Sequence, residues 1–425
     1  MLHRLRRHGG LLGERDFRHL WAGDVISQLG TRLSMTAVPL LAVLDLHAST
    51  LEVSLLRTAQ TAASLLLGLI AGAWVDRLRC LPVLVVADLA RAALLVSIPV
   101  TALLGVLSLG QLYAVVFLAG VGTIAFDTAH TTYLPRLIAR DRLVEGNSRL
   151  AANTSVAAVT GAGIGGYLVQ WLSAPFTIAL DAASYLWSAL WLLTIRTPER
   201  PPVRPARPHL RREIAEGLRF VFGHPILRAI AGNTATVLFF QSATDSIMIV
   251  FLVREVHLAP GVIGLLSMVG LLGALASAVL TTRIAARIGT ARTLWLSAVV
   301  NGVGFLLYPL TAGGARLTWY VLAGALAAFS IVTRHIMAVT TRQLLCPERL
   351  LGRVSATMEL MVWGVMPLGA LAGGLLGTYL GLRATLLVGG VVIAAASLWL
   401  VLSPLRGLRD IPSGSAPADR RVPAG

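Results

Sequence analysis

Acids and bases placed inside long apolar runs are the residues of this chain with chemistry to offer. Asp24, Gln28 and Arg32 recur every fourth residue in the run at about 17–44, so they share one helical face. Asp88 and Arg91 are three apart and can neutralise each other. Arg57, Asp127, His130, Asp181, Asp245, Arg334, His335 and Glu359 complete the set. An ionisable group well inside a membrane costs roughly 2.5–3.5 kcal/mol on insertion scales, so such groups face a cavity or one another. What they can do there is hold a proton, because moving an arginine relative to a carboxylate changes the affinity of the acid for it. Which of these acids face a cavity and carry a proton in this way, the residue types and spacing leave open.

Those residues need elements to position them. Of 425 residues, 56% are hydrophobic and 13% charged, whereas soluble domains carry about 25% charged residues. A soluble globular protein is excluded. Apolar stretches can be read at about 17–44, 51–74, 81–106, 111–134, 148–172, 176–195, 226–252, 261–283, 293–311, 317–341, 354–380 and 383–403, each long enough to cross a bilayer as a helix. The formal net charge is +16, and every basic residue is arginine. Such a charge suits nucleic acid or a membrane surface, and hydropathy decides for the membrane.

Thirty arginines fall in segments on the side of the amino terminus, and only Arg254, Arg316 and Arg383 fall on the other. The positive-inside rule therefore predicts a cell-membrane protein with both termini in the cytoplasm. Cys80 and Cys346 lie in loops expected on that side, which excludes a disulfide scaffold. Residues 1–16 form a basic terminus, and the run after it holds charged residues and no small-residue cleavage site, so it is a span and not a signal peptide.

The longest loop, 197–225, opens with the prolines of RTPERPPVRPARP, which forbid a helix. Residues 209–222 follow, with Leu210, Ile214, Leu218, Val221 and Phe222 on one helical face, and are expected to lie in the membrane interface. This loop separates a six-span half at 17–196 from another at 226–404, with residues 405–425 expected to form a disordered cytoplasmic tail. Asp141-Arg142-Leu143 and Gly146 match Glu348-Arg349-Leu350 and Gly352, 207 residues apart for the acid. Gly161, Gly163, Gly165 and Gly166 correspond to Pro367, Gly369, Gly373 and Gly374, each set ending on a glycine pair. Repeated halves mark many secondary transporters, and closely set glycines let helices approach.

Between spans 2 and 3 the chain reads Gly72-Ala-Trp-Val-Asp76-Arg77-Leu-Arg79-Cys80. This resembles the loop motif Gly-x-x-x-Asp-Arg-x-x-Arg-Arg of the major facilitator superfamily, with Cys80 and Leu81 at its later basic positions. LWAGDVISQLGTRL, ADLARA, FDTAHTTYLPRL, DAASYLWSALWLL and RQLLCPERLLGRVSA extend the likeness over about 17–404. Together they resemble the efflux branch that includes macrolide and enterobactin exporters, although Ala162 replaces the proline of the antiporter glycine motif. The resemblance implies an all-α membrane protein of twelve transmembrane helices in two six-helix pseudo-repeat halves. Spans 1, 4, 7 and 10 would line a central cavity, presenting Asp24, Arg32, Asp127, Asp245 and Arg334; in that arrangement Asp24 and Asp127 are expected to carry the proton, with Arg32 as the moving neighbour and Asp245 or Glu359 next in line. Asp88 and Arg91, with Asp181, would then be supporting pairs or caps. Gly72, Asp76 and Arg77 are expected to form a conformational latch, Asp76 accepting from backbone amides at a facing helix start.

The expected function is secondary active transport: proton-coupled export of a bulky hydrophobic or amphipathic compound, such as a drug, a macrolide-like molecule or a siderophore. Uptake or facilitated transport, and a non-transporting membrane sensor, are the alternatives. The absence of lysine forbids the Gly-x-x-x-x-Gly-Lys phosphate loop, and no His-Glu-x-x-His, Cys-x-x-Cys or Gly-x-Ser-x-Gly spacing occurs. No enzyme activity, cofactor, metal or nucleic-acid partner is expected. The small-molecule cargo and the bilayer are the expected partners of a monomer driven by a proton gradient.

Overall fold

Apolar runs longer than 18 residues satisfy their backbone inside a bilayer as helices, and the computed structural model is helical throughout its long elements. It describes residues 10–75, 78–199 and 210–411. In the first half the helices are α1 (Arg15–Leu44), α2 (Thr50–Val75), α3 (Cys80–Leu103), α4 (Leu109–Leu137), α5 (Leu143–Leu172) and α6 (Ala174–Leu193). A short helix, α7 (Leu210–Gly223), precedes the second half: α8 (Pro225–Arg254), α9 (Pro260–Ile288), α10 (Thr290–Leu307), α11 (Leu317–Leu345), α12 (Glu348–Tyr379), α13 (Leu382–Ala396) and its continuation α14 (Leu398–Val401). Among the described residues nine of the long helices qualify as membrane spans by length and apolar composition alone. The others are α1, α2 and α5. Polar residues interrupt α1 at Asp24, Gln28 and Arg32 and α5 at Asn153, Thr154 and Ser155.

The halves repeat one packing scheme. In the first, α1 packs on α5 and α6, α2 on α4, and α3 on α4 and α6; in the second, α8 packs on α12 and α13, α9 on α11, and α10 on α11 and α13. Local turns repeat as well. His47 after α1 and His257 after α8 both adopt the left-handed conformation, with φ of 52° and 57°. Each lets the amides on either side of it return to the helix it ends: Leu46 and Ala48 donate to Leu41 and Ala42, Val256 and Leu258 to Phe251 and Leu252.

Across the halves α5 meets α9 and α2 meets α12. At the distal end of the bundle, away from the termini, one apolar cluster draws on both halves, joining Leu40, Leu41 and Val43 to Ile247, Phe251 and Leu252. Arg254 donates across it to the Ala48 carbonyl at 2.6 Å, and Ser54 to Ser246 at 3.3 Å. At the terminal end the clusters stay separate. One holds Leu11, Phe17, Leu84, Tyr133 and Leu192 of the first half, and two others hold residues of the second half and α7, such as Leu294, Met337, Leu350 and Val221. Among the described residues, then, the halves share an apolar cluster at the distal end and none at the terminal end.

Three local expectations change. Leu405 and Ile411 are buried against α8 and α10, so the segment expected to begin a disordered tail is packed as far as Ile411. The amphipathic α7 packs on α12, with Val221 fully buried beside Leu227, Leu350 and Val354, so protein covers part of its apolar face. Cys80, expected in a loop, opens α3, and both it and Cys346 are buried.

Candidate transport site

The first half concentrates its polar side chains where α1, α3, α4, α5 and α6 converge. Asp24 is buried, and its carboxylate accepts from Asn153 at 2.8 Å and from Gln28, one turn on, at 3.3 Å. Asp88 forms an ion pair with Arg91. The Arg91 guanidinium lies between two rings, 4.5 Å from the Phe126 centroid and 4.1 Å from that of Tyr185, and donates to Thr123. A sandwich of this kind holds a desolvated cation by ring quadrupoles as well as by charge. Asp181 accepts from Ser184 at 3.2 Å. Gly30 is needed there, since a Cβ would lie 2.1 Å from the Ser184 hydroxyl and 2.6 Å from the Asp181 carboxylate.

Asp127 differs from these acids in being exposed. It lies on α4 within electrostatic reach of Arg91, His130 and Asp24. Arg32 is half-buried, bonds only to Met35, and among the described residues no carboxylate lies at ion-pair distance from it. Spacing along α1 therefore places Asp24 and Gln28 together and leaves Arg32 apart from them, because α5 supplies the second partner of Asp24.

The remaining expected residues scatter. Asp245 is exposed on α8 beside Gln241, facing Arg57 of α2 across the halves near the distal seal. Glu359 is exposed on α12. Arg334 is buried within the second half and bonds to Asn233 at 3.4 Å, so it belongs to the interior of that half. The six glycines serve two kinds of contact. Gly161 and Gly165 lie against Arg32 and Leu33 of α1, and Gly373 against the Ala243 carbonyl of α8, each within its own half. Gly163 and Gly166 lie against Met268 and the Pro260 carbonyl of α9, and Gly374 against Ser54 of α2, across the halves.

The latch expected at Asp76 and Arg77 lies outside the described residues, and Gly72 falls near the end of α2. A carboxylate does cap the start of α3, and it is Glu199. Its oxygens accept from the amides of Cys80 at 2.6 Å and Leu81 at 3.2 Å, and from Arg136 of α4 at 2.8 Å. Burial alone would raise the Glu199 carboxyl, but the two amides and the guanidinium outweigh it and hold the group below the ordinary glutamate value. The second half repeats the device with Asp410, which accepts from the Thr290 amide at the start of α10 at 2.9 Å. A sequence signal existed: each acid lies within two residues of a proline shortly after the last span of its half.

These features can be set beside known proteins. A family model described as transmembrane secretion effector matches residues 11–419. The multidrug efflux pump Tap of Mycolicibacterium fortuitum is 30% identical over 409 residues, covering 91% of this chain and 95% of its own. The enterobactin exporter EntS of Citrobacter koseri is 26% identical, with 93% and 94% covered. The solved structure of the nucleoside transporter NupG has the same fold, with a TM-score of 0.75 at 11% identity, over 91% of this chain and 98% of that one. Because the match runs through both halves and the fold is shared end to end, the chain belongs to the transmembrane secretion effector family of the major facilitator superfamily, and is a multi-pass membrane transporter and not an enzyme.

Proposed function

We propose that this transporter exports a bulky hydrophobic or amphipathic small molecule from the cytoplasm in exchange for protons, acting as a monomer with both termini inside. The observation that carries the reading is Asp127. It is exposed on α4, within reach of both the Arg91 cation and the Asp24 carboxylate. A carboxylate in that place changes its proton affinity when the halves rock and Arg91 or Asp24 moves relative to it. Asp24, held by Asn153 and Gln28, is its buried partner. Relatives named as a multidrug efflux pump and an enterobactin exporter support export and a cargo of this size. The cell supplies the driving force as an ion gradient.

The test is transport in proteoliposomes. Asp127→Asn should abolish accumulation of cargo against its gradient while leaving cargo exchange without a gradient, and Asp24→Asn should weaken accumulation. Wild-type pH dependence in both variants and in the double variant would remove these acids from the mechanism. Orientation is read separately. The two native cysteines are buried, so single cysteines introduced at the exposed positions Ala315 and Arg287 report against a silent background. An impermeant thiol reagent on intact cells should label the first alone, and labelling of the second alone would invert the topology.

A further inference from the structure

The second half carries a buried cation that its own acids leave unanswered. Arg334 is 7% exposed, and among the described residues no carboxylate pairs with it. Its Nε has no partner, and the bond it makes to the Asn233 Oδ1 is long, at 3.4 Å. Withdrawing a guanidinium from water is unfavourable unless negative charge or a full set of acceptors takes the place of water. Nearby, fully buried polar groups also stand open: both amide atoms of Asn301 and the hydroxyl of Ser330 lack partners among the described residues.

Helical register places these groups in one layer. Val237 of α8, Phe305 of α10 and Ala327 of α11 meet in an apolar cluster with Ile393 and Ala396. One turn from them toward the terminal end come Asn233 on α8, Asn301 on α10, and Ser330 followed by Arg334 on α11. Neighbouring contacts agree. A Cβ at Gly304 would lie 3.1 Å from the Ala327 nitrogen, which brings Asn301 opposite Ser330 on the antiparallel neighbour. The Asn233 amide donates to the Ala396 carbonyl at 2.8 Å, which fixes its oxygen toward Arg334.

We propose that this layer binds one compact anion, either a halide-sized ion or the carboxylate of a cargo molecule, with Arg334 supplying the charge and Asn301 and Ser330 supplying hydrogen bonds. Water could satisfy the amide and the hydroxyl, but it would leave the charge unbalanced; an anion answers both. Asn233 is a positioning residue that holds the guanidinium in the layer. The site is separate from Asp127 and needs no proton movement, so it stands or falls apart from the coupling mechanism.

The experiment follows the unfolding midpoint of the purified full chain in detergent as chloride or acetate replaces a bulky sulfonate at constant ionic strength. At least one of the two small anions should raise the midpoint saturably, chloride marking an inorganic occupant and acetate alone marking a cargo carboxylate. Arg334→Gln should abolish the shift. Arg334→Lys should keep it at a higher half-saturating concentration, and Asn301→Leu should raise that concentration at least tenfold. If Arg334→Gln does not fold, Asn301→Leu decides. A midpoint indifferent to both anions, or a shift that survives unchanged in the folded variants, overturns the proposal.

Discussion

In the first half Asp88, Asp127 and Asp181 gather around Arg91, with Asp24 beside Asp88 and Asp127, whereas the matching interior of the second half holds Arg334 among asparagines and serine, with no paired acid among the described residues. The helices that carry Asp127 and Arg334 pack alike, and each residue lies about three turns from the terminal end of its helix. The repeated frame therefore sets depth and neighbours, and the side chains placed on it set the charge. A duplicated bundle can in this way assign proton binding to one half and anion binding to the other without altering the backbone.

The sharpest way to break this contrast is to remove the cation that balances the first half. Arg91→Met should cost about 3–5 kcal/mol of stability, since it leaves the Asp88 carboxylate buried, 0% exposed, and unanswered. Adding Asp88→Asn should recover most of that loss in unfolding measurements. No recovery would mean that Arg91 acts through the rings of Phe126 and Tyr185 and not through charge.

The contact between the halves offers a smaller effect. Gly166 and Gly374 have no room for a side chain, a Cβ being 2.4 Å from the Pro260 carbonyl in one case and 2.5 Å from the Ser54 Cβ in the other. Valine at either position should disfavour the conformation closed at the distal end by about 1–3 kcal/mol. Spin-label distances across both ends would show the shift, and unchanged distributions would remove the glycines from the conformational equilibrium.

The smallest effects compare the two caps. Glu199→Gln should cost about 1 kcal/mol, and Asp410→Asn less, because Glu199 is 5% exposed and Asp410 62%. The Glu199 carboxyl titrates below its unfolded value in the folded chain. Its contribution is therefore complete above about pH 4.3 and is lost as pH falls through the lowered value. Unfolding midpoints between pH 7 and pH 3 should converge for wild type and Glu199→Gln at the acid end. Parallel curves would show that the cap is not electrostatic.

The helices were legible in the sequence because hydropathy is read along one dimension: the run at 148–172 becomes Leu143–Leu172 and that at 317–341 becomes Leu317–Leu345. The site was legible only where partners are near in sequence. Asp88 and Arg91, three apart, meet; Asp24 and Arg32, eight apart on the same face, do not, because Asn153 arrives from another helix. Glu199 escaped notice because its partner amides lie well over a hundred residues earlier. Asn233 and Asn301 escaped because a search for intramembrane charge passes over neutral amides.

The caps carry a consequence for connectivity. Glu199 closes the first half with a residue that comes before the second begins, and Asp410 closes the second with a residue that follows its last helix. Neither closure borrows from the other half. What joins them is the packing of α2 on α12 and α8, of α5 on α9 and of α1 on α8, contacts that two separate polypeptides could make equally well. A chain cut between residues 200 and 209 and co-expressed as two fragments should therefore assemble into a working pair. On this view the molecule is a tethered dimer of unlike subunits, whose tether sets stoichiometry and not shape.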